Sequence, residues 1–419
     1  MHRRLIALAG SLMVLAGCAD ETRILAPSTT TRRTDPTPAA TVVSETSTDL
    51  WARAITGETG PGSQYRLYLP RNWNGSAVFY AHGIRDVLEP VSLRNQDNLQ
   101  AIRDKLGQLG FAVAYSSFSE NGYAEKDGAQ RTHQLRGLFT SQFGSPTRSL
   151  LVGHSLGGLI MLDLAQRYSN QYDGVAALCG VVGGTQAEFD HMVTTRLLFD
   201  MFYPGILPGT FNTPPPGFVM TPALQGQIIA AITANRTGLA IIASIAQANL
   251  QFNPLAAPAV AQGQMVQSLI TALAFHGRGA DNVLSLMNGF PFDNSETVYS
   301  PAQISPVPAA FLNATLASVN ANAPRTSGDP SALNYTARNF TPSGALGIPT
   351  ITLHNRWDPL VPFFHEPLFA TRVADAGANG LLLQRSAATY GHCNFTIDEQ
   401  IQAITDLAAW VETGTKPNN

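Results

Sequence analysis

Charge is scarce in this sequence. Asp, Glu, Lys and Arg make up only 13% of its 419 residues, and the formal net charge is −3, so no strong field draws the chain to polyanions or acidic membrane surfaces. No basic run alternates with aromatic residues, which excludes a nucleic-acid interface. Metal-ligand spacing is missing as well. His133, His191 and His276 stand alone in helical patterns, and His365-Glu366 has no second histidine four residues on, so no metal site is expected. No glycine-rich phosphate loop follows the first strands, so no cofactor is expected. Nothing points to a protein partner. What the chain has in quantity is apolar surface: 44% of its residues are hydrophobic, enough for a large core and for more than one average domain.

The first eighteen residues are of another kind. Arg3 and Arg4 precede an apolar run over 5–16, too short for a comfortable bilayer span and patterned as a removable export signal. The run ends Leu15-Ala16-Gly17-Cys18, which resembles the lipobox of bacterial lipoproteins. That resemblance implies cleavage before Cys18, acylation of the cysteine, and firm attachment to a membrane surface. With Ala19 rather than Asp next, the outer membrane is the expected address in a Gram-negative cell. Residues 19–50 are rich in Thr, Pro, Ser and Ala and show no apolar periodicity. Such a segment buries too little to offset its ordering entropy, so a flexible tether is expected. The folded part is expected to begin near Trp51.

Beyond the tether, short apolar runs alternate with helical patterns. Strands are predicted over 65–69, 77–81, 111–116, 149–153, 174–179, 350–354 and 381–384, several of them apolar throughout, as strands buried on both faces are. Helices are predicted over 93–109, 129–143, 158–168, 368–376 and 396–412, the last with Ile401, Ile404, Leu407 and Ala408 at helical spacing. This alternation predicts an α/β fold, a mostly parallel sheet with helices on both faces, over 51–183 and 348–419. The rhythm stops over 184–347. Ala-rich helical stretches (224–250 and 260–275) lie there between the turns Pro214-Pro215-Pro216 and Pro306-Val307-Pro308. A structureless loop of that length is implausible, so an inserted helical cap is expected.

The sharpest signal is Leu151-Val152-Gly153-His154-Ser155-Leu156-Gly157-Gly158-Leu159. An apolar strand runs into Gly-x-Ser-x-Gly, and a helix-compatible run follows. A strand that turns abruptly into a helix holds its serine in a strained conformation, and side chains at Gly153 or Gly157 would clash. Ser155 is therefore the candidate nucleophile. A serine hydroxyl needs a base, and the base needs an acid to orient it. Asp358 follows the strand at 350–354 within Trp357-Asp358-Pro359, and His392 follows the strand at 381–384 within Tyr390-Gly391-His392-Cys393. Both loops are expected to open on the same sheet edge as Ser155. The bland alternatives are a turn-capping Asp and a surface His. His154, inside the elbow, is expected to point away from the chemistry.

These residues resemble the α/β-hydrolase superfamily over roughly 65–182 and 347–411. The elbow Gly-His-Ser-Leu-Gly-Gly is similar to those of esterases, lipases and prolyl-oligopeptidase-like peptidases. The resemblance implies an oxyanion hole made by the Leu156 and Ile84 amides, the latter from the match of His82-Gly83-Ile84 to the family's His-Gly-x turn. His82 is then a brace rather than a base. The implied activity is hydrolysis of a carboxylic ester, small or polymeric, through an acyl-enzyme. The alternatives are a peptidase or amidase, and a non-catalytic surface lipoprotein on the same fold. Apolar residues early in the cap, among them Phe189, Leu197, Leu198, Phe199, Met201 and Phe202, are expected to set substrate size.

Two cysteines remain after Cys18. Cys179 ends a strand at the edge where the catalytic loops gather, and Cys393 directly follows His392. In an exported chain such a pair invites a disulfide. The alternative is a small buried hydrophobe and an incidental neighbour.

Overall fold

In the computed structural model of the chain, the described residues are 40–60, 62–94, 98–339 and 341–418. Cys18 and the expected export signal lie outside them. One nine-stranded sheet has the order β1-β2-β3-β5-β4-β6-β7-β8-β9. Strands β1 (Thr41–Thr46), β2 (Trp51–Thr59) and β3 (Ser63–Pro70) form an antiparallel ribbon. β3 pairs antiparallel with β5 (Ala112–Ser116). From β5 onward every pairing is parallel, through β4 (Ser76–Ala81), β6 (Arg148–His154), β7 (Gly174–Leu178), β8 (Thr350–Trp357) and β9 (Leu382–Tyr390). The chain reverses direction across the sheet between β4 and β6. The C-terminal ends of strands flanking such a switch point splay their loops apart and leave a crevice.

Alternation within the strands sorts side chains to two apolar layers. Phe79, Ala114 and Leu151 face one layer, while Val78, Tyr80, Val113, Tyr115 and Val152 face the other. Helices α1 (Leu99–Gln108) and α11 (Ile397–Thr413) cover the second layer, with Leu99, Ile102, Leu106, Ile401, Ile404 and Leu407 buried. Helices α2 (Glu125–Phe143), α3 (Leu156–Arg167) and α10 (His365–Asp375) cover the first, through Leu135, Leu159 and Phe369. α11 starts on a reciprocal cap between Thr396 and Glu399. Sheet order, helical layers and a helical interval between β7 and β8 make this an α/β-hydrolase fold.

Three expectations need correction. The tether does not run to residue 50, because β1 extends the sheet over Thr41–Thr46. Its side chains are all exposed, so backbone pairing and the Glu45–Arg53 ion pair place it and no apolar pattern advertises it. β2 is likewise absent from the predicted strands; its polar Arg53, Thr56 and Glu58 blur the alternation. The helix expected over 224–250 is two, α5 (Pro222–Ala234) and α6 (Arg236–Ala243), bent by 96°. Asn235 ends the first and caps the second, its Oδ1 accepting from the Gly238 amide at 3.1 Å.

Helices α4 (Thr185–Phe202), α7 (Pro258–Met287), α8 (Ala309–Asn322) and α9 (Pro330–Arg338) complete the interval between β7 and β8. Its buried residues Phe199, Ile242, Leu269 and Leu316 join the layer under α2 and α3. No single helix among the described residues is long and apolar enough to cross a membrane.

Candidate active site

Ser155 sits between β6 and α3 with φ 55° and ψ −122°, a conformation that L-residues adopt only when their surroundings impose it. The surroundings do. A Cβ on Gly153 would lie 2.2 Å from the Gly157 carbonyl oxygen, and one on Gly157 would lie 2.2 Å from that of Ala81. The Ser155 amide donates to Leu178 O at 2.9 Å, which ties the elbow to the neighbouring strand. Ser155 is 6% exposed, at the head of a helix whose first amides lack intrahelical acceptors.

Asp358 and His392 meet at the same sheet edge. Asp358 follows β8 directly and is fully buried. Its Oδ1 accepts the Leu360 and Val361 amides, each at 2.9 Å, so the Asp-Pro turn is also an Asx turn. Its Oδ2 lies 2.7 Å from His392 Nδ1. The loop bearing His392 is held from three sides. The Gly391 amide donates to Trp357 O at 3.1 Å. Asn355 accepts from the Asn394 amide and donates to the Asn394 carbonyl, both at 3.0 Å. Cys393 forms a disulfide with Cys179, Cα to Cα 5.2 Å. One ring nitrogen of His392 and the two sulfurs lie within 4.8 Å of one another. The Cys179 amide donates to Leu353 O at 2.7 Å, so the disulfide anchors the histidine loop to the end of β7, beside β8. The clamp by Asn355 is not visible in sequence, where it reads as one more polar residue ending a strand.

The turn after β4 lies against Ser155. A Cβ on Gly83 would stand 3.1 Å from Ser155 Cβ and 3.5 Å from its Oγ, so the turn packs tightly against Ser155 and a side chain there would press on it. His82 stacks on Phe118 with ring centroids 3.8 Å apart, and its Nδ1 donates to Gly83 O at 2.7 Å. Burial, with the Arg85 charge behind it, lowers the His82 pKa to about 3, which keeps the ring neutral as it braces the turn. Gly122 donates its amide to Arg85 O at 2.9 Å and steadies the same loop from the other side. His154 points to the opposite face, with Nδ1 3.0 Å from Tyr80 OH and Nε2 2.7 Å from Gln400 Oε1.

Two cavities lie near this edge, one of them against Ser155. A narrow one of about 20 Å³ is bounded by Ser155, Leu156, Ile84, Tyr123, Glu188 and Met192, among others. An open one of about 410 Å³ is bounded by Arg85, Val87, Gln225, Ile270, Thr271 and Asn282, among others. Ile84, Phe275 and Leu360 belong to both walls, so the cavities are neighbours beside the turn after β4. Phe199 and Phe202, expected to set substrate size, line neither. Phe199 is fully buried and stacks on Tyr203 at 5.0 Å, which makes it part of the packing between helices. The walls come from α4, α5 and α7 and from loops at the sheet edge; on α4 the wall residues are Glu188 and Met192, beside Phe189 and more than a turn before Leu197.

Behind Asp358 lies a buried polar layer that the sequence did not reveal. His354 Nε2 donates to Val361 O at 2.8 Å and stands 3.8 Å from Asp358 Oδ2, while its Nδ1 is 3.3 Å from Glu366 Oε1. Burial lowers the His354 pKa, but the Glu366 and Asp358 carboxylates outweigh it and the net shift is upward. Glu366 Oε2 in turn accepts from Thr352 and Gln384, both at 2.5 Å. His133 stacks on Tyr168 at 3.9 Å, and His191 and His276 are buried with pKa values lowered to about 3, chiefly by desolvation.

No family model matches the chain. It is similar to an o-phthalyl amidase from Xanthobacter agilis, 24% identical over 415 residues that cover 86% of this chain and 88% of that protein. Among solved structures it is similar to an esterase from Aspergillus oryzae, at 14% identity and a TM-score of 0.47, over 91% of this chain and 88% of that one. It is also similar to feruloyl esterase B from Aspergillus oryzae, at 15% identity and a TM-score of 0.48, over 90% of this chain and 88% of that one.

Proposed function

We propose that the chain is a serine hydrolase that cleaves carboxylic esters through an acyl-enzyme. The observation that carries this reading is the strained Ser155 at the end of β6, on the same sheet edge as the His392–Asp358 pair. Ser155 Oγ attacks the substrate carbonyl and passes its proton to His392 Nε2, while Asp358 holds Nδ1 and stabilises the imidazolium. The Leu156 and Ile84 amides take the oxyanion, with Gly83 allowing the close approach that this needs. The imidazolium then protonates the leaving group, and a water activated by the same histidine releases the acid.

An amide of the same acyl group is the second reading, and the similarity to an amidase along most of the chain favours it. The two readings differ in the leaving group: an amine must be protonated as it departs, so amide cleavage leans harder on the imidazolium. Turnover of p-nitrophenyl esters of increasing chain length, beside the anilide of the best acid, tests both. Ester turnover that vanishes in Ser155→Ala supports the reading. No turnover of either class by the folded protein contradicts it and favours a binding lipoprotein on this fold.

The lipid anchor at Cys18 is part of the same proposal, supported by the lipobox-like sequence and the Thr/Pro-rich stretch that follows. Cys18→Ser is expected to release the protein from membranes, or to leave the signal uncut, with ester turnover retained. Equal membrane partition of mutant and wild type counts against lipidation.

A further inference from the structure

His354 and Glu366 are buried titratable groups with no part in the acyl-transfer steps, and they stand directly behind Asp358. His354, near the end of β8, is fully buried, and Glu366, in the first turn of α10, is 3% exposed. Burying such a pair costs desolvation that apolar side chains of the same volume would not. Packing alone therefore gives no reason for it, and its hydrogen bonds show what it holds.

Two of them fix Glu366 to the sheet: Oε2 accepts from Thr352 Oγ1 on β8 and from Gln384 Nε2 on β9, both at 2.5 Å. That leaves Oε1 for His354, whose Nδ1 stands 3.3 Å away, and neither atom has a hydrogen-bond partner elsewhere among the described residues. Val361 O is an acceptor only, so the ring nitrogen 2.8 Å from it, Nε2, carries a proton. One further proton lies between Nδ1 and Oε1, since two lone pairs would otherwise face each other in a dry interior. Whichever atom carries it, Glu366 orients the ring, and the edge contact with Phe363, 6.0 Å between centroids, fixes its plane.

The ring passes that order on. Val361 accepts the Nε2 proton at its carbonyl and gives its own amide to Asp358 Oδ1 at 2.9 Å. Asp358 Oδ2 meanwhile reaches His392 Nδ1 at 2.7 Å. His354 Nε2 lies 3.8 Å from that same Oδ2; with its proton on Val361 O, it leaves Oδ2 to His392. Resting on the serine-hydrolase reading, we propose that His354, oriented by Glu366, is a positioning residue that sets the turn over 358–361 and so aims Asp358 at His392.

The test measures kcat and KM for the best-cleaved p-nitrophenyl ester, after subtraction of uncatalysed cleavage, in variants whose folding is checked by thermal melts. His354→Phe keeps a ring and removes the donor; it is expected to lower kcat by about ten- to a hundredfold, with KM within about threefold of wild type. In the Asp358→Asn background the same substitution is expected to cost less than about threefold, because the acid it aims is already gone. Glu366→Gln keeps every contact, its amide oxygen accepting from Thr352 and Gln384 and its N–H donating to Nδ1, and is expected to retain kcat within about threefold. Glu366→Met, of similar length, removes those contacts and is expected to resemble His354→Phe. Wild-type kcat in folded His354→Phe overturns the proposal. An equal loss in both backgrounds overturns it as well, since that marks a general structural role, and so does a Gln variant as slow as the Met variant. Should His354→Phe not fold, the two Glu366 variants in both backgrounds decide between the same outcomes. If the wild type cleaves the ester and His354→Phe matches it, this inference alone fails; if the folded wild type cleaves no ester, the hydrolase reading fails with it.

Discussion

The loops at the C-terminal edge of the sheet and the helices between β7 and β8 are held by different means. At the edge, backbone touches backbone: Gly153 and Gly157 leave no room for a methyl group, Asn355 clamps the histidine loop, and a disulfide spans 214 residues to reach it. Among the helices, side-chain volume does the holding. Phe199, Ile242, Leu269 and Leu273 interlock, and the buried Arg196 is paired with Asp200 at 2.8 Å. The contrast separates two tasks. On the proposed reading the edge carries acyl transfer, which tolerates little displacement of its groups, and the edge is over-constrained accordingly. Selectivity is a matter of which side chains line a wall, and these can change without moving the edge.

The largest expected effects lie at the edge itself. Ser155→Ala and His392→Ala should each lower ester turnover by about three to six orders of magnitude with the fold intact. Asp358→Asn should cost somewhat less, since the base loses its orientation but remains. Wild-type turnover by Asp358→Asn would remove Asp358 from the role of acid.

Next comes the clamp. Cys393→Ser should lower stability by up to about 5 kcal/mol in the chain-entropy account of so long a loop, seen as a fall in melting temperature, and should also slow ester turnover because His392 is the neighbouring residue. Alkylation of two free thiols in the air-oxidised native protein would show that the bond does not form. Reducing agent should reproduce the effect of the substitution.

Adding one methyl group sharpens the comparison. Gly157→Ala puts a Cβ within 2.2 Å of Ala81 O and 2.9 Å of His82 O and should destabilise by about 3 kcal/mol or more. Gly226→Ala on α5 meets nothing within 4 Å and should stabilise by about 0.5–1 kcal/mol, the ordinary preference of a helix for alanine. Thermal melts of the two variants measure both. Equal effects would mean that the edge is no tighter than the helices.

Within the helices, two phenylalanines should behave differently. Phe199→Ala empties a fully buried site and should cost about 3–5 kcal/mol of stability, while the preference among acyl chain lengths stays unchanged. Phe275→Ala, on the wall of both cavities, should shift that preference at a smaller cost in stability. A chain-length panel beside a melt separates them, and the reverse pattern would misplace the pocket.

The same contrast explains what was legible in the sequence. The elbow could be read because a backbone collision dictates small residues at 153 and 157, and a residue type at a position is what a sequence states outright. Asp358, His392 and the two cysteines could be placed because each follows a strand and parallel strands end at one edge. Glu188, Met192, Tyr123 and Phe275 could not be read as pocket walls. Helical periodicity tells a buried face from an exposed one, but not whether the buried face meets the core or a cavity, and Phe199 is misread for that reason. The strand β1 escaped because an edge strand with exposed side chains has no apolar alternation to show.

The account turns on Ser155 as an activated nucleophile, and a fluorophosphonate probe reads that directly. Incubation of the folded protein followed by intact mass and peptide mapping should give one adduct, on Ser155, that is absent from Ser155→Ala and forms far more slowly in His392→Ala. A folded wild-type protein that takes up no probe, or one modified at another residue, would contradict it.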